Sequence, residues 1–246
     1  MTANFAKEDA TDNGWSSSAR AWIDVIGAAG DWGRRYVLDA PMLARVRGRR
    51  FHDAVDIGCG EGRFCRMLGA DGIRCIGVDP TAELIDAARQ RDPGGDYRIE
   101  PAEALSLADA SVDLAVAYLS LIDFPNLPGA LAEAHRVLRP GGTFLIANLQ
   151  SFNTAAVPLG WTREPDGSRR FCIDHYLEER TVETAWRGIR VKNWHRPLHV
   201  YLQGLLEAGF DLVHFDEPAP HSTDDDKADR YRRVPNFLVM EWRRRR

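Results

Sequence analysis

The stretch Asp56-Ile57-Gly58-Cys59-Gly60-Glu61-Gly62 decides the fold. It grows out of Ala54-Val55-Asp56-Ile57, a short β-branched run, and leads into Arg63 to Gly69, which reads as a helix. Three alternate glycines at a strand's exit let a ligand approach the backbone with no Cβ atom in the way. That geometry suits a nucleoside-type cofactor. In a dinucleotide-binding Gly-x-Gly-x-x-Gly loop the third glycine would fall at position 63, where Arg63 stands instead, so a nicotinamide dehydrogenase is disfavoured.

Outward from this loop the pattern repeats. Cys75-Ile76-Gly77-Val78 reads as a second strand ending at Asp79, and an apolar-periodic helix follows through Leu84, Ile85 and Ala88. Tyr97-Arg98-Ile99 is a short third strand and Val112 to Tyr118 a fourth. A helix between Leu127 and Leu138 carries Leu131, Ala134 and Leu138 on one face and stops at Arg139-Pro140-Gly141-Gly142, before a fifth strand at Thr143 to Asn148. Alternating strands and helices predict a parallel sheet with helices on both faces, binding its ligand beyond the C-terminal strand ends. Asp79 then stands where a carboxylate accepts both ribose hydroxyls, and Asp56 at the loop entrance holds an amino group directly or through water.

Residues 150–193 break the alternation with Pro158, Gly160, Pro165, Gly167 and many charges, and read as an insertion. A last helix runs from Pro197 to Ala208 and is capped by Gly209. Two final strands, Phe210 to Phe215 and Asn236 to Trp242, are joined by a polar loop containing Asp224-Asp225-Asp226. The expected organisation is one domain over residues 1–246: an N-terminal helical cap (1–48), a cofactor-binding core (49–149), an insertion or lid (150–193) and a C-terminal helix with two strands (194–246).

A net charge of −4 argues against general attraction to nucleic acid, which rests on clustered Lys and Arg. Cys59, Cys65, Cys75 and Cys172 contain no Cys-x-x-Cys pair, so neither a zinc site nor a disulfide framework is expected. The polar, acidic start MTANFAKEDATDNGW lacks the form of a signal peptide, and no apolar run reaches the length of a membrane span. A cytoplasmic, reducing setting is the expectation.

Val55 to Gly62, Gly77-Val78-Asp79-Pro80, Ala102-Glu103-Ala104-Leu105 and Ala134 to Gly142, in this order and spacing, resemble the class I methyltransferases that use S-adenosylmethionine (SAM). The resemblance spans about residues 50 to 150 and is strongest to the small-molecule branch that includes the ubiquinone and menaquinone biosynthetic enzymes. It implies a Rossmann-like α/β fold, a seven-stranded, mostly parallel sheet of order 3-2-1-4-5-7-6, with the last strand antiparallel. It also implies SAM as cofactor and S-adenosylhomocysteine as product. Gly58, Cys59 and Gly60 would line the methionine part, near Asp56; Asp79 would hold the ribose and Pro80 the adenine face. Ala102 and Glu103 would approach the adenine edge, while Tyr118 and Leu119 close the site. Pro101 replaces an Asp found in many relatives, passing recognition of the adenine amino group to backbone or to Glu103.

Methyl transfer from a sulfonium is an in-line displacement that demands approach, alignment and exclusion of water. A hydroxyl acceptor also needs a base, whereas an amine or activated carbon needs positioning alone. The acceptor site is expected from three segments rich in aromatic and His residues: Trp15 to Tyr36, Tyr118 to Phe124, and Ser151 to His199. His195, His175 and Tyr118 are the catalytic candidates, with Trp15, Trp32, Tyr36, Trp194 and His199 furnishing the pocket. Each has a plainer alternative: the N-terminal aromatics anchor helices, His195 and His199 open the last helix at the surface, and Asp123 either caps the turn before Pro125 or acts as a base. Arg243 to Arg246 reads as a solvated chain end.

The expected activity is methylation of an O, N or C atom of a small metabolite, by a monomer or homodimer without metal, nucleic acid or membrane partner. An RNA or protein methyltransferase, and a non-catalytic SAM-fold binding protein, are the alternatives.

Overall fold

The computed structural model describes residues 13–221 and 226–246. The acidic first twelve residues, with Asp224 and Asp225, lie outside that set. Helix α1 (Trp15–Ile26) opens the described chain, and a π-helical turn at Arg34–Leu38 runs into α2 (Asp39–Ala44). The alternating core follows: β1 (Asp53–Ile57), α3 (Arg63–Ala70), β2 (Arg74–Asp79), α4 (Ala82–Arg91), β3 (Asp96–Ile99), β4 (Val112–Tyr118), α5 (Leu127–Val137) and β5 (Leu138–Leu149). Beyond it come α6 (Ser151–Ala155), the hairpins β6 (Gly160–Arg163) with β7 (Arg169–Cys172) and β8 (Arg180–Trp186) with β9 (Ile189–His195), then α7 (Leu198–Glu207), β10 (Phe210–Asp216), α8 (Asp226–Arg233) and β11 (Phe237–Arg244).

Seven strands form the central sheet in the order β3-β2-β1-β4-β5-β11-β10. The first five pair in parallel, and β11 is antiparallel to both β5 and β10. The insertion's two hairpins stay outside this sheet and account for the higher chain numbers of its last two strands. Burial on both faces follows from the period-two alternation of side chains. Val55, Ile57, Ala115, Ala117, Phe144 and Ile146 face α5 and α7, whereas Ala54, Leu114, Val116, Leu145 and Ala147 face Leu38, Met42, Phe64 and Leu68.

Local signals set the helix ends. Asn126 caps α5 by accepting from the Gly129 N–H at 3.1 Å, Pro128 fits its first turn, and Leu127, Ala130, Leu131, Ala134 and Val137 form one buried stripe. Two expectations change. Arg139-Pro140-Gly141-Gly142 is not a turn before the strand but an irregular part of β5: the pairing steps from Val112 with Leu138 to Leu114 with Thr143. Arg139 is held there by Asp113 at 2.6 Å and Asp53 at 3.1 Å, so its side chain clips three strands together. The polar loop between the last two strands contains a helix, α8, which begins at Asp226.

The N-terminal segment is tied to both parts of the molecule. Ser18 Oγ accepts from the Arg190 N–H and donates to the Arg190 carbonyl, joining α1 to β9. At the other end, Arg45 and Arg49 converge on Glu241 of β11 at 2.5 and 2.9 Å, and Glu241 is 2% exposed. Among the described residues, no helix is long and apolar enough to cross a membrane.

Removing Glu241 leaves two arginines facing a buried gap. Glu241→Ala is therefore expected to lower stability by about 2–4 kcal/mol, less than for a fully buried pair because both arginines are partly solvated. Urea unfolding checks this, and a change under about 0.5 kcal/mol would contradict it.

Candidate active site

A cavity of about 630 Å³ lies over the C-terminal ends of β1, β2 and β4. Its floor is the glycine loop, anchored by Gly58 N–H and Cys59 N–H donating to the Val78 carbonyl at 2.8 and 3.0 Å. Gly58 has φ +76°, and a Cβ there would come within 2.4 Å of Ser120 Cβ, so only glycine lets the loop pass under the strand-four exit. Gly60 has φ +56° and leaves open space up to the Trp22 indole, 3.7 Å from where its Cβ would lie.

Asp79 ends β2 and joins the two loops. Its Oδ2 accepts from Gly60 N–H at 3.0 Å and its Oδ1 from Thr81 N–H at 2.9 Å. Burial pushes its carboxyl up, with these backbone donors working against the shift. Each oxygen keeps a lone pair for a further donor. Asp56 is more deeply buried, and its Oδ1 has no hydrogen-bond partner. Burial, reinforced by Cys65 and then Asp79, drives its pKa well up. Asp56 also lines the cavity, where a donor-bearing ligand would satisfy such an orphan oxygen.

The N-terminal segment builds one wall. Tyr118, the last residue of β4, donates to Asp39 Oδ1 at 2.8 Å, and Arg63 grips the same carboxylate at 2.9 and 2.6 Å. Arg63, the residue that spoils the dinucleotide pattern, thus fastens the cap to the first core helix. Arg34 lies 4.8 Å from the Trp22 ring and 5.5 Å from that of Tyr118, paired with Asp31 at 2.6 Å.

Another part of the lining comes from the turn after β4, where Asp123 faces Asn193 and Trp15. Asn193 Nδ2 donates to Asp123 Oδ1 at 2.7 Å, and the Trp15 indole is the second hydrogen-bonding neighbour. Asp123 is deep but open to the cavity. Burial chiefly, with Asp79 adding its charge, raises its pKa to about 7, against the pull of Trp15, Asn193 and Arg34.

The expected cofactor residues Asp56, Gly58, Cys59, Gly60, Asp79, Pro80, Ala102, Glu103, Tyr118 and Leu119 all line this one cavity, and so does Trp15. Six other candidates do not. His195 is fully buried: Nδ1 meets Thr154 Oγ1 at 2.7 Å, and Nε2–H donates to the Tyr176 carbonyl at 2.9 Å, leaving neither nitrogen for catalysis. His175 is exposed and bonded to Glu178 at 2.8 Å. Trp32 packs behind Tyr231, Tyr36 meets His221, and His199 lies on the exposed side of α7.

Trp194 points to the outer side of β9 and stacks under Arg196 at 4.8 Å. The residue on the inner side is Asn193. Reading 189–195 as a strand would have exposed this one-position difference, because Ile189, Val191, Asn193 and His195 alternate with more exposed neighbours. Asp31, Arg34, Trp22, Trp186 and Phe237 were also missed, since no local pattern brings their segments together.

The raised pKa of Asp123 makes stability depend on pH. Between its ordinary value of 3.8 and about 7 the folded state holds this proton more tightly than the unfolded chain, so its contribution is full below about pH 4 and lost as pH rises through 7. Asp123→Asn is expected to be more stable than the parent at pH 8 by on the order of 1–3 kcal/mol, the gap closing at pH 4–5. Urea midpoints at the two pH values decide it; a gap independent of pH would contradict the expectation.

Comparison with known proteins gives the same picture. Residues 55–146 match the family model described as a methyltransferase domain. Malonyl-[acyl-carrier protein] O-methyltransferase of Serratia marcescens is 33% identical over 136 residues, covering 55% of this chain and 52% of that protein. The ubiquinone/menaquinone biosynthesis C-methyltransferase of Rubrivivax gelatinosus is 35% identical over 133 residues, covering 54% and 48%. The chain thus spans about half the length of the curated relatives it matches. The crystal structure of a SAM-dependent methyltransferase from Mesorhizobium loti is similar over 89% of this chain and all of that one, with TM-score 0.75 and 28% identity. The glycine loop and the strand-end acid Asp79 both fall within the matched residues 55–146, so the chain is similar to SAM-dependent methyltransferases over the stretch that forms the floor of the cavity.

Proposed function

We propose that this protein transfers the methyl group of SAM to an oxygen, nitrogen or carbon atom of a small acceptor enclosed in the cavity, releasing S-adenosylhomocysteine. The observation that carries the reading is the pinned carboxylate of Asp79 beside the orphan oxygen of Asp56, two acceptor positions on one wall. They suit a ligand with a ribose diol at one end and an ammonium group at the other. Gly58, Cys59 and Gly60 would run along the methionine part, Pro80 against the adenine face, Ala102 and Glu103 at its edge. Tyr118 and Leu119 would close the site.

When bound, SAM supplies an electrophilic methyl on a sulfonium, and the chain supplies alignment and a dry environment. Trp15, Trp22, Phe124, Trp186 and Phe237 give the cavity aromatic walls that exclude water and favour a planar or amphipathic acceptor. The cap (1–48) and the insertion (150–193) act as the cover over the core (49–149), with residues 194–246 completing the domain. The names of the relatives specify O-methylation of malonyl-[acyl-carrier protein] in one case and C-methylation in ubiquinone/menaquinone biosynthesis in another, so relatedness alone does not choose the acceptor atom. A concave cavity of about 630 Å³ supports a small acceptor over the extended groove an RNA would need, and the net charge of −4 supports it too. Action as a monomer or homodimer is part of this reading, and the four free cysteines fit a reducing, cytoplasmic setting.

Calorimetry with S-adenosylhomocysteine tests the site. Asp79→Ala is expected to weaken binding tenfold or more, roughly the loss of one or two hydrogen bonds to a charged group. Gly60→Arg is expected to abolish it by filling the space below Trp22. Unchanged affinity in both variants would reject the assignment.

A further inference from the structure

The acidic groups of the cavity are not equivalent. Glu61 is ion-paired with Arg66 and Arg91 at 2.6 and 2.5 Å, and Asp31 with Arg34 at 2.6 Å. Asp79 is occupied by two backbone donors. Asp123 instead takes its hydrogen bonds from neutral groups, the Asn193 amide at 2.7 Å and the Trp15 indole, and Arg34 acts on it only as the weakest of several influences. A carboxylate buried among aromatic walls without a cation is expensive. Three segments distant in sequence nonetheless converge to hold it: the turn after β4, strand β9 and helix α1.

We propose that Asp123 is the general base of this enzyme and that its acceptor is an aromatic hydroxyl, a phenol. The inference rests on the methyl-transfer reading and narrows it. A carboxylate acceptor is already ionised and would be repelled by Asp123 and Asp79, while an amine beside Asp123 would be held as the ammonium ion, which has no lone pair to give. An alkyl alcohol is too weak an acid for a carboxylate base. A phenol is acidic enough, and its ring matches walls built from Trp15, Trp186 and Phe124. In the transfer, a phenol oxygen lone pair forms the O–CH₃ bond, the sulfonium C–S bond breaks with its electron pair remaining on sulfur, and the hydroxyl proton passes to an Asp123 oxygen. Asn193 and Trp15 are positioning residues that hold the carboxylate by its other lone pairs.

The charged and titratable groups around Asp123 come from several elements. Asp79 at the end of β2 raises its proton affinity and Arg34 lowers it. Tyr201 of α7, itself beside Arg196, feels the Asp123 charge. With the Asp123 pKa at about 7, turnover is expected to fall below neutral pH as the base becomes protonated.

The experiment uses the full chain with methyl-labelled SAM and five acceptors: catechol, 2-naphthol, 7-hydroxycoumarin, benzoic acid and benzylamine. Transfer is expected to at least one phenol and to neither the acid nor the amine. For that phenol, Asp123→Asn should cut kcat by about 10²–10⁴-fold and remove the acidic limb of the pH profile, with S-adenosylhomocysteine affinity kept within about twofold. Asn193→Ala should move the limb to higher pH, since the lost donor favoured the ionised base. Independently of turnover, the Asp123 carboxyl carbon resonance, assigned by its absence in Asp123→Asn, should shift when the accepted phenol joins the complex with S-adenosylhomocysteine. Transfer to benzoic acid or benzylamine, or to none of the three phenols by a protein that binds S-adenosylhomocysteine through Asp79, overturns the proposal. So does an Asp123→Asn enzyme with unchanged kcat and pH limb, or a resonance the phenol leaves unmoved. Absence of S-adenosylhomocysteine binding in the parent would instead overturn the methyl-transfer reading beneath it.

Discussion

The site depends on one carboxylate held by two backbone N–H groups. Asp79 reaches across from β2 to Gly60 in the neighbouring loop while also bonding Thr81 in its own, so the relative position of two strand ends is set by a single side chain. Parallel pairing of β1 with β2 brings the ends level, as Ile57 stands opposite Val78. The positive φ of Gly58 and its close approach to Ser120 then tuck the loop beneath the exit of β4. Everything that lines the floor of the cavity follows from these constraints.

The walls are made differently. The core offers strand ends and the loops that follow them, and the remaining surface comes from chain on either side of it. Arg63 and Tyr118 share the Asp39 carboxylate and so bring the N-terminal cap down onto the sheet. Ser18 exchanges two hydrogen bonds with Arg190 and brings the insertion to the cap. Ala19, Trp22 and Ile26 of α1 bury themselves with Ile189 and Val191 of β9, an apolar seam with its own small core. Cap and insertion therefore pack as one unit, despite lying on opposite sides of the core in the sequence.

This division explains what could be read from the amino-acid order alone. The core was legible because its signals are local: apolar runs of strand length, alternate glycines at a strand exit, and Asp79 at the end of the next strand. Asp56, Gly60 and Asp79 could be placed together for that reason, whereas Tyr118 was placed by the family resemblance. The cover was not legible, because its geometry depends on tertiary pairing that leaves little trace in composition. Counting aromatic and histidine residues selected Trp194, His195 and His199, yet inward and outward positions alternate along β9, and Asn193 holds the inward place on the cavity. His195 is inward as well, but Thr154 and Tyr176 consume both its nitrogens. Asp123, read as either turn cap or base, needed its neighbours on α1 and β9 to be seen before its surroundings could be judged.

The β8–β9 hairpin forms a two-stranded sheet of its own, contributing no strand to the seven that hold the fold. Changes to its inward residues therefore leave the ladder beneath undisturbed. On the proposed reading, donor recognition and acceptor recognition fall to parts of the chain that answer to different structural demands. On that reading, the acceptor pocket can be recut at the hairpin and the facing side of α1 without touching the backbone bonds that pin Asp79 and the glycine loop.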